Sequence, residues 1–187
     1  RAPRDRVLAI RRQRPMGIRD RPYTSVAAPI QLAAITAFQG GVELEEYLFQ
    51  SRRILAALAR HHVATLANVG VELELPDGAF YLFPDFSPLA ARLAARGIYN
   101  SSTLCERLLE ETGVATLPGE AFGRPAEELT LRLAFVDFDG DQALRAAARE
   151  PRGEPLGADF LRRQCGRCVT AVEKMAVWVS GNDGSQR

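Results

Sequence analysis

The sequence predicts an α+β fold in which a small mixed sheet is packed by helices and joined to a long linking helix. Residues 129–136 alternate, with leucine or phenylalanine at every odd position, and this period of two is typical of a strand with one apolar face. Residues 42–68 instead place apolar side chains at helical spacing over more than twenty positions. Short apolar runs bounded by glycine and proline lie between these segments and indicate further strands and helices.

Two helices are predicted before the sheet begins. Pro29 suits the first turn of a helix that two glycines end, and the linking helix follows from Val42 to about Asn68. His61 and His62 lie near the C-terminal end of the linking helix. Because adjacent helical residues point in different directions, these two histidines are not expected to share a metal ion.

The remaining elements follow from apolar runs, turn residues and caps. Thr103 and Glu106 have the spacing of a capping box, and Asp139 and Gln142 are spaced as a helix cap and its third residue. The predicted elements are strands at 71–75 and 78–84, helices at 87–97 and 103–113, strands at 114–117 and 129–136, and helices at 139–148 and 160–180.

Composition limits the classes of protein to which the chain can belong. With 187 residues, of which 47% are hydrophobic and 25% charged, the chain can build one sizeable core and is not generally disordered. Residues 1–22 hold eight arginines against Asp5 and Asp20, a net charge of +6, without interleaved aromatic residues. We therefore expect a solvated arm and no nucleic-acid partner.

The apolar runs and the cysteine count indicate where the protein is located. No apolar run is long enough to span a membrane, and no signal peptide is recognisable. Three cysteines, an odd number, fit a reducing compartment better than a disulfide framework. A cytoplasmic protein with no membrane partner is therefore expected.

Arg132 is the exception within the apolar strand at 129–136. A guanidinium is costly to desolvate unless it meets an anion, and its planar fork suits a carboxylate or a phosphate. The alternative is an arginine on an edge strand whose side chain reaches water. The strand pattern alone leaves both interpretations open.

Other patterns of site chemistry are weak in this sequence. Cys165 and Cys168 spell C-x-x-C, but no second pair completes a zinc site and no strand precedes them, so we expect structural cysteines near the start of a helix. The sequence contains neither a glycine-rich phosphate loop nor a nucleophile elbow. No metal site is predicted.

Four short motifs stand out along the chain: TSVAAPIQ at 24–31, PDGAFYLF at 76–83, LPGEAFG at 117–123 and LRLAF at 131–135. They occur in the order seen in class I and II aminotransferases, which are fold-type I enzymes that depend on pyridoxal 5′-phosphate. From about Tyr23 to Ser180 the chain resembles the C-terminal part of these enzymes, including their small domain.

This resemblance implies a role for several residues. Arg132 matches the small-domain arginine that grips the substrate's α-carboxylate in that family, and the loop at 119–123 and the strand at Phe80-Tyr81 would lie near the cleft. Thr24 and Ser25 match a loop that lies near the cofactor phosphate of the partner subunit in the family's homodimers; the alternative is that their hydroxyl groups cap the following helix. The implied reaction exchanges an amino group between an amino acid and a 2-oxo acid.

The chain departs from the family at the lysine that forms the Schiff base with the cofactor. Its one lysine, Lys174, lies in the closing helix in an unlike context, so a solvated helix residue is expected there. We therefore expect no catalytic residue in this chain, which would be a C-terminal fragment of an aminotransferase. The alternative is a non-catalytic interaction or dimerisation module that lacks the cofactor lysine.

These inferences divide the chain into four segments. A basic arm at 1–22 is a candidate remnant of the large domain, and an interface loop with the linking helices occupies 23–69. A small α+β domain at 70–180 and a polar tail at 181–187 follow.

Overall fold

The computed structural model describes residues 26–181, and the chain divides into two compact units, Arg1–Glu45 and Glu46–Arg187. The predicted basic arm and all but the first residue of the predicted tail lie outside the described residues. Within the described range, no helix combines the length and the hydropathy that crossing a membrane requires.

In the described part of the first unit, α1 (Ala28–Gln39) is the helix that Pro29 predicts. Pro29 lies in its first turn, where the missing N–H has no intrahelical partner to lose, and Gly40 ends the helix with a φ of 75°. None of the α1 side chains is buried. This helix therefore contributes no residue to a hydrophobic core.

The linking helix α2 (Val42–Ala67) has nearly its predicted bounds. Every fourth residue from Gln50 to Leu66 is buried, and this spacing keeps those side chains on one face. Ile54, Leu58 and Leu66 of that face belong to the hydrophobic core of the second unit. The apolar periodicity therefore predicted both the helix and its buried side.

Three short strands form one sheet in the order β1, β3, β2. They are β1 (Tyr81–Leu82), β2 (Leu117–Pro118) and β3 (Leu131–Ala134). In the register, Tyr81 pairs with Ala134 and Leu117 pairs with Arg132. β3 is therefore the central strand, and both of its neighbours run antiparallel to it.

The α+β class is confirmed, but the sheet differs from the prediction in two respects. All strand pairs among residues 26–181 are antiparallel, whereas a mixed sheet was predicted, because the chain reverses direction between each flanking strand and β3. The segment at 71–75 is also not a continuous strand. Only Glu72 pairs there, through two hydrogen bonds with Asp85.

The predicted alternation of the central strand is confirmed. Leu131, Leu133 and Phe135 are at most 3% exposed, and Leu82 of β1 is buried beside them. Arg132 is half-buried and Ala134 is exposed, because the pleat directs these two side chains to the opposite face, while Thr130 is covered by the turn at Gly119. The sheet thus has one face in the core and one open face.

Further helices pack around this sheet. Asp139 caps its helix as predicted, and its side chain accepts the N–H of Gln142 at 3.0 Å. The predicted cap at Thr103 is wrong: Asn100, a better N-capping residue, accepts the N–H of Thr103 at 2.8 Å. The helices are α3 (Ala90–Ala94), α4 (Ser101–Thr112), α5 (Gly140–Ala147), α6 (Ala158–Gln164) and α7 (Gly166–Ser180).

The predicted closing helix is in fact two helices, because Cys165 adopts a φ of −126° and a ψ of 29° between α6 and α7. Cys165 and Cys168 lie near the start of α7, as expected, and both are free thiols in the core. Burial, together with the neighbouring thiol, raises the pKa of Cys165 to about 12. Burial also raises the pKa of Cys168. Neither residue is a reactive thiolate at neutral pH.

Arginines on and beside α3 hold the C-terminal end of α7. Arg92 donates to the carbonyl oxygen of Val179 at 3.0 Å, and Arg96 donates to that of Trp178 at 2.9 Å. The Arg96 guanidinium lies 4.0 Å from the centroid of the Trp178 ring, whose Nε1 donates to Glu111 at 2.7 Å. These bonds satisfy carbonyl groups that a helix end leaves without an intrahelical partner.

His62 is a buried titratable residue on the core face of α2. It is 1% exposed, its Nδ1 donates to the Leu58 carbonyl oxygen at 2.8 Å, and its ring centroid lies 5.5 Å from that of Phe135. Burial lowers the pKa of His62 from 6.5 to about 4; the bond to Leu58 opposes this change, and the charge of His61 adds to it. The folded chain therefore keeps this imidazole neutral at neutral pH.

We predict that His62 makes the free energy of unfolding depend on pH between 6.5 and about 4. In this window the unfolded chain binds a proton at His62 and the folded chain does not, so the free energy of unfolding falls by on the order of 3 kcal/mol as the pH is lowered. Denaturant unfolding at a series of pH values measures this slope. His62→Gln should lose most of it and His61→Gln should keep it; an undiminished slope in His62→Gln would contradict the prediction.

Candidate functional site

Arg132 lies at the centre of the open face of the sheet. Leu131 and Leu133 on either side of it are buried in the core, so the strand directs the guanidinium to the opposite face. The side chain is half-buried and lines a cleft of about 1050 Å³. Because β3 is the central strand, the edge-strand interpretation of this arginine does not hold.

The cleft combines aromatic and acidic side chains around this guanidinium. The acidic residues come from the segment that precedes β1, and the aromatic residues come from β1, from the residue after it and from the turn after β2. Among the described residues, the aromatic and acidic side chains of the lining are those of Tyr81, Phe83, Phe122, Glu72, Glu74 and Asp77.

Two aromatic rings contact the Arg132 guanidinium. Its Cζ atom lies 4.7 Å from the ring centroid of Tyr81 and 4.5 Å from that of Phe122. Phe83 in turn packs edge-on against Phe122, with ring centroids 6.0 Å apart and an interplanar angle of 85°. Each such cation–π contact contributes about 0.5–1 kcal/mol at an exposed site and more where water is excluded.

The 3₁₀ turn Gly119–Phe122 positions the Phe122 ring. Gly119 is buried, and its N–H donates to the Thr130 carbonyl oxygen at 2.9 Å. A Cβ atom on Gly119 would lie 2.0 Å from Oγ1 of Thr130, so only glycine permits this approach of the turn to β3. Gly123 ends the turn with a φ of 83°.

No carboxylate neutralises Arg132 within the described part of the chain. The ion pairs found in residues 26–181 use other arginines, among them Arg124, which is paired with Glu128 at 2.6 Å. A guanidinium carries five N–H donors in a planar fork. These donors of Arg132 are therefore available to an anion that enters the cleft.

The structure brings together residues that the sequence placed in separate motifs. Tyr81 and Phe122 lie in the two motifs expected near the cleft, and both reach the guanidinium. Sequence reasoning missed the acidic lining at Glu72 and Glu74. Their alternation with Val71, Leu73 and Leu75 was the available signal, because it places both carboxylates on one side of an extended segment.

The structure does not test the other predicted site residues. Thr24 and Ser25 lie outside the described residues. Lys174 is exposed on α7 and lines a recess of about 360 Å³ together with Glu173 and Trp178. This recess shares no lining residue with the Arg132 cleft.

The described part of the chain is thus an α+β structure whose small antiparallel sheet presents Arg132 among aromatic rings. Residues 14–149 match the family described as aminotransferase class I and II, which is more than half of the chain. The chain therefore belongs to the class I and II aminotransferases, and the resemblance seen in its motifs is confirmed.

The similarity extends over limited parts of the known proteins. Aspartate aminotransferase from Pinus pinaster is 50% identical over 59 residues, which cover 30% of this chain and 12% of that protein. Aspartate/prephenate aminotransferase from Cereibacter sphaeroides is 36% identical over 124 residues, which cover 63% of this chain and 28% of that protein. The crystal structure of aspartate aminotransferase from Thermotoga maritima matches 65% of this chain and 22% of its own, with 26% identity and a TM-score of 0.38.

The described cleft does not by itself fit pyridoxal 5′-phosphate. The aldehyde of that cofactor condenses with an amine, and none of the residues that line the cleft is a lysine. The same lining places three carboxylates beside one guanidinium, which does not suit a phosphate group. No group of three or more histidine, cysteine, aspartate or glutamate residues in the described range is placed to hold a metal ion.

We predict that Gly119→Ala destabilises the chain by on the order of 2 kcal/mol, because the new Cβ atom would overlap Oγ1 of Thr130 and push the turn away from β3. Thermal or denaturant unfolding measures the change. Thr130→Ala in the same chain should restore part of the loss, since it removes the overlapping atom. Gly153→Ala is the matched control, because no atom lies within 4 Å of the added Cβ; an equal loss there would refute the steric explanation.

Proposed function

We propose that this chain supplies the substrate-binding small domain of a pyridoxal 5′-phosphate-dependent aminotransferase, in which Arg132 binds the substrate's α-carboxylate. The parent reaction transfers an amino group between an amino acid and a 2-oxo acid. The observation that supports this proposal is the half-buried, unpaired guanidinium on the central strand, directed into a cleft. Family membership supplies the reaction class.

The geometry around Arg132 suits a carboxylate ligand. A carboxylate accepts two parallel N–H bonds from one guanidinium, and this bidentate pair sets the orientation of the bound molecule as well as its affinity. Tyr81 and Phe122 cover part of the guanidinium, and partial removal of a charge from water strengthens its attraction to an opposite charge. A strand fixed on both sides by pairing holds the arginine more precisely than a loop does.

The charges of the cleft also suit a zwitterion. Glu72, Glu74 and Asp77 line the same cavity as Arg132, so the cleft presents carboxylates as well as a guanidinium. An amino acid carries an ammonium group beside its carboxylate, and the acidic side chains attract that second charge. A 2-oxo acid lacks the ammonium group, so the acidic side chains do not attract it and Arg132 supplies the charge attraction.

The cofactor and the assembly belong to the proposal for the whole protein. Class I and II aminotransferases depend on pyridoxal 5′-phosphate as a family, and a cytoplasmic homodimer is the arrangement we infer. The lysine and the phosphate-binding groups that the cofactor requires would come from residues other than those of the described cleft. The described residues therefore contribute to binding and orienting the substrate rather than to proton transfer.

A second candidate is a non-catalytic interaction or dimerisation module. One observation favours it: the one lysine of the chain lies on the exposed side of α7, in a recess that shares no residue with the cleft. The two candidates differ in what they require of Arg132. An interaction module needs no carboxylate affinity at this residue, whereas the substrate-binding domain does.

We predict that pyruvate, a 2-oxo acid with one carboxylate, binds the 187-residue chain at Arg132. NMR titration measures this binding by following the Nε–Hε signals of the arginines and the backbone N–H signal at position 132, which Arg132→Met retains. Arg132→Met should weaken it about tenfold or more, because a charge-assisted bidentate pair is lost. Arg124→Met is the matched control, since that arginine is already paired with Glu128. Equal pyruvate affinity in Arg132→Met would exclude the substrate-binding role and leave the interaction module.

We also predict that pyridoxal 5′-phosphate does not form a specific Schiff base at Lys174. The residue is exposed and stands apart from the cleft, so labelling after borohydride reduction should be slight and insensitive to added amino acid. Peptide mass spectrometry locates and quantifies the label. Stoichiometric labelling at Lys174 that an amino acid prevents would show that this chain builds a cofactor site of its own.

A further inference from the structure

The two rings that contact Arg132 come from opposite sides of its strand. β3 is central, so β1 with Tyr81 lies on one flank, and β2, followed by the turn that carries Phe122, lies on the other. The ring centroids lie 4.7 Å and 4.5 Å from Cζ of Arg132. A guanidinium between two such rings cannot swing toward either flank without losing a cation–π contact with one of them.

We propose that Tyr81 and Phe122 are positioning residues that form an aromatic slot around the Arg132 guanidinium, and that this slot makes the site select a planar carboxylate over a tetrahedral anion. The inference rests on the proposed function, in which Arg132 binds a carboxylate. Arg132 lines the cleft and forms no ion pair within residues 26–181, so its N–H groups can meet an anion there. A carboxylate pairs with these groups in the guanidinium plane, whereas a phosphate or sulfate also carries oxygen atoms out of that plane, toward the flanking rings.

Each ring of the slot is braced by another aromatic residue. The Phe80 ring centroid lies 4.1 Å from that of Tyr81, and the Phe83 ring meets Phe122 edge-on at 6.0 Å. Aromatic pairs of this kind contribute beyond the area that they bury. The slot is therefore a four-ring arrangement in which the inner two rings touch the arginine and the outer two hold them.

The turn that carries Phe122 is itself fixed at two points. Gly119 approaches β3 closely and donates to the Thr130 carbonyl oxygen, while Glu120 accepts a hydrogen bond from Ser102 of α4. Phe122 is nevertheless 43% exposed, so the hydrophobic core does not depend on its ring. The turn therefore holds the Phe122 ring beside Arg132, although this ring contributes little to the hydrophobic core.

The test measures anion preference in the 187-residue chain by titrating acetate and phosphate at constant ionic strength and following two signals by NMR: the Arg132 Nε–Hε signal, and the backbone N–H signal at position 132, which Arg132→Met retains. The wild-type chain should bind acetate more tightly than phosphate, despite the greater charge of phosphate. Phe122→Leu and Tyr81→Leu should each weaken acetate binding about two- to five-fold, from the loss of one cation–π contact, and bring the acetate-to-phosphate ratio toward one. Phe122→Trp should restore the preference, because it restores a ring at that position.

The controls separate a positioning role from a structural one. Phe49→Leu removes a ring that lies 5.6 Å from the Arg53 guanidinium and is not part of the slot, so it should change neither affinity nor preference at Arg132. The amide signals of Leu131 and Leu133 report whether each variant keeps the sheet. Because Tyr81 and Phe122 lie on different elements, either variant alone tests the slot if the other fails to fold.

Three results would overturn the proposal. Phosphate binding as tight as acetate binding in the wild-type chain would exclude a planar slot, and unchanged acetate affinity in folded Phe122→Leu and Tyr81→Leu would exclude a positioning role. After either of these first two results, loss of acetate binding in Arg132→Met would leave the proposed function intact. Retained acetate binding in Arg132→Met would instead refute the proposed function and the slot with it.

Discussion

Antiparallel pairing of β3 on both of its edges is the constraint on which the rest of the site depends. Leu131 and Leu133 fill the core, so Arg132 must stand on the open face; pairing on both edges places it in the middle of that face. A register slip of one residue would bury the guanidinium and expose both leucines, which the core cannot tolerate. The strand register that packs the leucines in the core is therefore also the register that places Arg132 on the open face.

The open face of the sheet is unlike an ordinary solvated surface. Leu117, Phe83 and Phe122 remain between 41% and 46% exposed around an arginine that no carboxylate of residues 26–181 neutralises. Apolar walls with a few convergent polar groups are characteristic of ligand-binding clefts. Glu72 and Glu74 add negative charge to the lining of the cleft. A site that bound only carboxylates would not need this negative charge.

The sequence predicted those parts of the fold that a short-range pattern determines. The alternation over 129–136 predicted the strand, its buried face and the side to which Arg132 points. With a period of two, the apolar residues can be assigned to the buried face in only one way. The two-residue lengths of β1 and β2 and the helix break at Cys165 were not predicted, since apolar runs do not reveal which N–H groups find partners. The contact of Phe122 with Arg132 depends on how the turn folds back onto β3, which no spacing along the chain reports.

The arginine bonds at the end of α7 have a consequence for how the second unit folds. Arg92 and Arg96 meet carbonyl oxygens that lie 87 and 82 residues further along the chain. Contacts of such sequence separation raise the contact order, because the entropy of closing a long loop is lost before any stabilising contact forms. On the ribosome, these bonds cannot form until Trp178 and Val179 have emerged. The segment around α3 therefore gains these bonds only after the last helix has been made, and folding of this unit during synthesis is completed late.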